Sequence, residues 1–168
     1  MKKYELTTNT KMRFGRKLFQ IKALVSFGNV EAGELGGYVE KEENLSHAGN
    51  AWVYGNAEVY GNAEVYGNAR VYGNAWVYGN AEVAGNAEVS GNADYICFKG
   101  FGSENRNTTM FRTKNGDVFV CCGCFAGSLK EFSEKVKKTH GSSKYAKEYL
   151  ACVEVAKIHF EIGEENDK

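Results

Sequence analysis

Ala51-Trp52-Val53-Tyr54-Gly55-Asn56 runs straight into Ala57-Glu58-Val59-Tyr60-Gly61-Asn62, and the pattern A-x-V-x-G-N continues to Ala87-Glu88-Val89-Ser90-Gly91-Asn92. A weaker copy, Leu45-Ser46-His47-Ala48-Gly49-Asn50, precedes it, and Gly33 to Asn44 can be laid in the same frame. Repetition at so short a period implies stacked units, because each unit can bury its apolar face only against its neighbours. Ala and Val stand two apart and share one face of a strand, while the residue between them and the usual Tyr share the other. Gly-Asn supplies the corner, since both residues tolerate positive φ. Three hexads then make an 18-residue period in which Val stacks on Val and Ala on Ala.

The same period sorts the outward side chains into rows. Trp52, Arg70 and Glu88 fall in one, Glu58, Trp76 and Asp94 in a second, and Ser46, Glu64 and Glu82 in a third. The position after Val brings Tyr54 to Tyr72 and Tyr60 to Tyr78, with Tyr66 between Ala48 and Ala84. So many rings imply an interface unless flanking segments cover them. Trp52, Tyr54, Tyr60, Arg70, Tyr72, Trp76 and Tyr78 are the candidates for self-association or for stacking on a planar ligand.

The flanks read differently. Residues 1–32 hold an alternating run, Lys17 to Leu24, and read as a β cap, with turns at Gly28-Asn29 and Gly33 to Gly37. Arg13, Arg16, Lys17 and Lys22 read as solvated charges around a strand. The repeat region spans 33–94, and 95–168 reads as a small α+β domain. Tyr95 to Lys99, Thr108 to Thr113 and Val118 to Cys122 read as strands, the last two joined at Asn115-Gly116. Ser128-Leu129-Lys130-Glu131 is a capping box that opens a helix ending at His140-Gly141. A second helix begins near Ser142 and carries Tyr145, Tyr149, Leu150, Val153, Ala156 and Phe160 at i, i+3, i+4 spacings, and Glu164 to Lys168 reads as a frayed end.

Lys plus Arg and Asp plus Glu total 21 each, which speaks against a general nucleic-acid binder. No apolar run reaches the roughly 20 residues that span a bilayer, and Met1 to Leu6 lacks the apolar core of a signal peptide. A cytoplasmic protein with its five cysteines as thiols is expected. Cys121, Cys122 and Cys124 read as small hydrophobes; no metal, cofactor or catalytic residue is assigned. The richest polar segment is Ser103, Asn105, Arg106, Asn107, Thr108, Thr109 and Arg112, with Ser128 at a helix start. Its hydroxyls, amides and guanidiniums suit an anion, though no phosphate-loop motif is present.

The hexads resemble the hexapeptide-repeat family. In that family an aliphatic residue and a small residue lie inside, and Asn or Gly takes the left-handed corner; Val, Ala and Asn match these places. The resemblance implies a mainly β fold, a left-handed parallel β-helix, assembled as a trimer. It also implies an alternative activity, acyl transfer with a histidine base, for which only His47, His140 and His159 are present. The string Glu34 to Ser46, running into Val-Tyr-Gly-Asn repeats, and the tail from Cys122-Gly123-Cys124-Phe125 to Phe160, look like uncharacterised hexapeptide-repeat proteins of phages and prophages. That likeness implies an accessory protein of the host cytoplasm. By analogy with its class, it implies a homo-oligomer that sequesters a small anionic, nucleotide-like ligand between subunits against host defence. A structural or protein-interaction scaffold that engages a host protein is the remaining expectation.

Overall fold

Alternating apolar and polar residues at the start of the chain form a hairpin. Strand β1 (Tyr4–Arg13) pairs antiparallel with β2 (Arg16–Ala23), and Phe14-Gly15 makes the turn. Both turn residues have positive φ, 47° and 78°, as a two-residue hairpin loop requires. β2 pairs in turn with β3 (Leu35–Val39). Here the expected turn at Gly33 to Gly37 is corrected. Gly36 and Gly37 are interior strand residues, buried where the backbone of the repeat passes too closely for a side chain.

The repeat forms strands of two residues each: β4 (Trp52–Val53), β5 (Glu58–Val59), β6 (Glu64–Val65), β7 (Arg70–Val71), β8 (Trp76–Val77), β9 (Glu82–Val83) and β10 (Glu88–Val89). Each pairs in parallel with the strand 18 residues away, Val53 beside Val71 beside Val89, Val59 beside Val77, and Val65 beside Val83. The Ala and Val positions are almost completely buried. Gly stands at positive φ in every hexad corner from Gly55 to Gly85, between 56° and 73°. Asn does not take the left-handed place; instead Asn62 donates to Asn80 at 3.2 Å and Asn68 to Asn86 at 3.3 Å.

The expected left-handed parallel β-helix is not what forms. The described residues show several small separate sheets, ordered β1-β2-β3-β5-β8, β10-β7-β4 and β6-β9, with no closed or solenoid sheet. The cause is local: a corner after every Val leaves only two residues per hexad to pair. No hexad strand pairs with the next one along the chain, and the antiparallel hairpin makes one of these sheets mixed.

The structure is a computed structural model describing residues 1–163, in two compact units, residues 1–92 and the residues from Ala93 onward. The tail expected to fray, Glu164 to Lys168, lies outside the described residues. The second unit is an antiparallel sheet in the order β11 (Tyr95–Phe101), β12 (Arg106–Arg112), β13 (Val118–Cys122) and β14 (Phe125–Ser128), followed by α1 (Leu129–His140) and α2 (Lys144–His159). The strand β14, not anticipated, arises because Gly123 at φ 59° turns the chain back onto β13. Met110, Val118 and Val120 pack with Phe132, Val136, Tyr149 and Val153 to make its core. Ser128 caps α1 and Gly141 ends it at φ 57°. Among the described residues no helix is long and apolar enough to cross a membrane.

Candidate functional site

The polar segment of the second unit does not form one site. Ser103 and Asn105 lie in a turn, with Asn105 at φ 50°. Arg106 and Arg112 stand at opposite ends of a seven-residue strand, roughly 20 Å apart. Successive strand residues face opposite ways, so Thr108 and Thr109 part company, and both are buried. Thr108 donates to Cys122 Sγ at 3.1 Å and Thr109 to Cys97 Sγ at 3.7 Å. Arg112 donates to the carbonyl of Phe160 at 2.7 Å, at the end of α2. Ser128 donates its hydroxyl and its backbone N–H to Glu131 Oε2, at 2.7 and 2.8 Å, so the start of α1 is filled by its own carboxylate. Those bonds hold the Glu131 carboxyl below its ordinary range. Burial pushes the Cys152 thiol up to about 11 and the Tyr149 hydroxyl up to about 12, so neither is an anion near neutral pH.

The first unit gathers aromatic and charged groups where the hairpin crosses the repeat. Glu58 is almost fully buried and accepts Arg13 Nε and Nη2 at 2.6 and 2.7 Å and Lys11 Nζ at 2.6 Å. Burial raises its pKa, but the bonds from Arg13 and Lys11 outweigh that and hold it below the ordinary value. The Arg13 guanidinium lies 4.3 Å from the ring centroid of Trp76, and Phe14 meets the same ring edge-on at 6.2 Å. In the neighbouring column Tyr60 and Tyr78 stack in parallel, 5.3 Å apart with 7° between planes. Tyr60 is buried, whereas Tyr78 is 52% exposed. Arg16 donates from Nη1 to both Glu40 oxygens at 2.9 Å.

The seven stacking candidates therefore separate. Trp52 is corrected from an outward residue to a core one. It is fully buried, edge-on to Tyr4 and Phe27 at 6.0 and 5.4 Å, because the N-terminal segment covers its row. Tyr60, Trp76 and Tyr78 stand together beside Arg13. Tyr54, Arg70 and Tyr72 belong to a different sheet row, where Arg70 donates to the Tyr54 hydroxyl at 3.4 Å. Sequence reasoning missed Phe14, Arg13 and Arg16 as parts of the aromatic site. The available signal was the hairpin itself, whose two-residue turn places them on either side of one tip.

A cavity of about 580 Å³ lies elsewhere in this unit, with Leu45 and Tyr66 as apolar lining and Glu42, Glu43, His47 and Glu64 around them. Glu64 lies directly beside Glu82; burial, then the Glu64 charge, push the Glu82 carboxyl up. His47 stacks on Tyr4 at 4.4 Å and accepts the Lys3 backbone N–H at Nδ1, 3.2 Å away. Its Nε2 therefore carries the proton, and Glu42 Oε2 lies 3.7 Å from it. An imidazole held this way presents a donor there, where an acyl-transfer base needs a lone pair. Among the described residues no three His, Cys, Asp or Glu side chains converge as a metal site.

Lys3 is 4% exposed, donates to the Ala51 carbonyl at 2.8 Å and sits 4.6 Å from the Phe27 ring. Burial pulls its pKa down to about 8. Between that value and the unfolded one, about 10.4, the folded chain binds fewer protons than the unfolded chain, so stability rises with pH. Wild type is expected to gain stability over Lys3→Met across this window, by up to about 1.4 kcal/mol per pH unit, read as a difference in urea midpoints. Burial pushes the Tyr4 hydroxyl far up, which costs stability above about pH 10 in both proteins alike; the difference isolates Lys3. A flat difference would contradict the burial of its ammonium.

A scan against models of protein families matches none, and a search of curated proteins finds no relative.

Proposed function

We propose that the protein is a non-enzymatic binding protein that holds a planar, anionic, nucleotide-like ligand against Tyr78 and Trp76. The observation that carries this reading is the parallel Tyr60–Tyr78 column ending in a half-exposed ring. A flat ring can add to such a column, and stacking a base on an aromatic side chain contributes about 1–3 kcal/mol. Arg13, at the end of β1, stands by Trp76, two residues before Tyr78. Two of its nitrogens bind Glu58, and Nη1 keeps a donor for an anion. Holding without turnover suits sequestration of a signal nucleotide, the role implied by the phage-type likeness.

Calorimetry with linear and cyclic nucleotides tests it. Tyr78→Ala is expected to weaken binding by at least about tenfold and Tyr78→Phe to leave it nearly unchanged. Arg106→Ala combined with Arg112→Ala is expected to have no effect, because this reading takes no group from the second unit and Arg112 is committed to Phe160. Absence of heat with every nucleotide, or loss of binding in the double arginine variant alone, would sink the reading.

A further inference from the structure

We infer that the hairpin tip Phe14-Gly15-Arg16 of one copy docks into the acidic cavity of a second copy of the chain. The contact goes beyond the ligand reading and does not depend on it.

The tip is built against local preference. A two-residue turn with positive φ at both positions favours Asn or Gly, yet Phe14 stands at φ 47°. A bulky ring in that region is an outlier for an L residue. It is also 76% exposed. Asn there would relieve the backbone, and the edge-on contact with Trp76 still leaves most of the Phe14 ring in water. Directly after the turn, the Arg16 side chain is 49% exposed. It uses one terminal nitrogen on Glu40 and keeps Nε and Nη2 for another carboxylate.

The cavity is the counterpart in charge. Tyr66 stands in its wall for a ring to meet, and Glu42, Glu43 and Glu64 offer carboxylates to a guanidinium. Glu82 adds a fourth acid beside Glu64. Lys2 offsets Glu42 at 2.7 Å, which leaves Glu43 and Glu64 to meet an incoming cation. The chain as a whole carries no net charge, so nothing long-ranged opposes association.

Within one chain Arg16 is held on Glu40 and the Phe14 ring lies edge-on to Trp76, and neither side chain lines the cavity. Tip and cavity are different residues, so two copies that exchange both contacts reciprocally close a dimer, and a one-way exchange continues until the rotation closes a ring.

The test is native mass by sedimentation across a concentration series, in low and high salt. Wild type is expected to associate, less so at high salt. Arg16→Glu and Glu64→Arg are each expected to weaken association at least about tenfold. Mixed in equal amounts, or combined in one chain, the two reversals are expected to restore it, since every tip then finds a cavity of opposite charge. Phe14→Asn adds an opposing pair of readouts: a higher melting temperature of the monomer and weaker association. A wild type that stays monomeric overturns the proposal. So does an oligomer whose mass neither reversal changes, in which case the cavity serves another occupant such as a small amine. Circular dichroism identifies a misfolded variant, and the mixing experiment rests only on folded ones. Nucleotide binding is read by calorimetry on Glu64→Arg, whose substitution lies in the cavity and not in the aromatic site, so failure of the docking and failure of the ligand reading are distinguishable.

Discussion

Gly37→Ala is expected to destabilise the first unit by about 3 kcal/mol or more, the upper range for forcing atoms into a packed interior. A β-carbon on Gly37 would lie 2.6 Å from the Ala57 carbonyl oxygen, 2.7 Å from Val53 Cγ1 and 3.1 Å from the Tyr54 carbonyl oxygen. Two of these are backbone atoms, and neither can yield freely. The Ala57 oxygen accepts the Tyr38 N–H at 2.9 Å, and the Tyr54 oxygen accepts the Ala57 N–H at 3.1 Å. Retreat would therefore break a bond that ties β3 to the repeat beside β5 and a bond that closes the corner before β5. The backbone at Gly37 is not left-handed, so the cost is one of space, not of φ. Gly91 is the matched control, with no positive φ and no atom within 4 Å of its β-carbon position. Gly91→Ala is expected to stay within about 0.5 kcal/mol of wild type. Urea unfolding followed by tryptophan emission measures both; equal midpoints would mean that β3 does not pass so close to the repeat.

Periodicity disclosed the interior of the repeat because its signal is strictly local. Ala and Val two apart share a face whatever surrounds them, and the 18-residue register follows from three corners. The capping box at Ser128 and the stop at Gly141 were legible for the same reason, since both are set within one helical turn. Periodicity could not say what covers the outer positions. Trp52 and Glu58 occupy the same hexad place as Glu64 and Arg70, yet the first two are buried because the segment after β2 and β1 arrive from 25 and 45 residues earlier in the chain, Phe27 on Trp52 and Arg13 on Glu58. Gly36-Gly37 looked like a turn because glycine in sequence does not distinguish freedom of φ from close approach of backbones. The polar run from Ser103 to Arg112 looked like one site because sequence nearness hides strand alternation, which sends Thr108 and Thr109 apart. The fold class failed for a related reason: a repeat names which residues stack, while the extent of each sheet depends on how many residues pair between corners, here two.

Glu58→Ala is the second large effect expected, about 2–3 kcal/mol. Breaking a buried ion pair by deleting one partner costs about 3–5 kcal/mol when the remaining charge stays buried. Lys11 and Arg13 are each 29% exposed and regain some water, which brings the figure down. What remains is the loss of the carboxylate that pins both cations. With it in place, Lys11 lies 3.9 Å from the Tyr38 ring centroid and Arg13 4.3 Å from that of Trp76, so one side chain ties the hairpin to two neighbouring aromatic residues. The pH dependence has a definite sign. Since the folded pKa of Glu58 is held below the ordinary value, its contribution is fully present above that value and is lost as pH falls through the folded one. Wild type is therefore expected to lose its advantage over Glu58→Gln on acidification below about pH 4.5; taking the difference between the two proteins cancels the similar titrations of Glu40 and Glu42. Glu88 supplies the comparison, at the same place in its hexad but with its side chain 24% exposed and 3.8 Å from Arg70. Glu88→Ala is expected to cost no more than about 0.5 kcal/mol, as for other solvent-exposed pairs. Equal costs at the two positions would mean that the hairpin does not close over Glu58, and the aromatic surface beside it would then be open along its whole length.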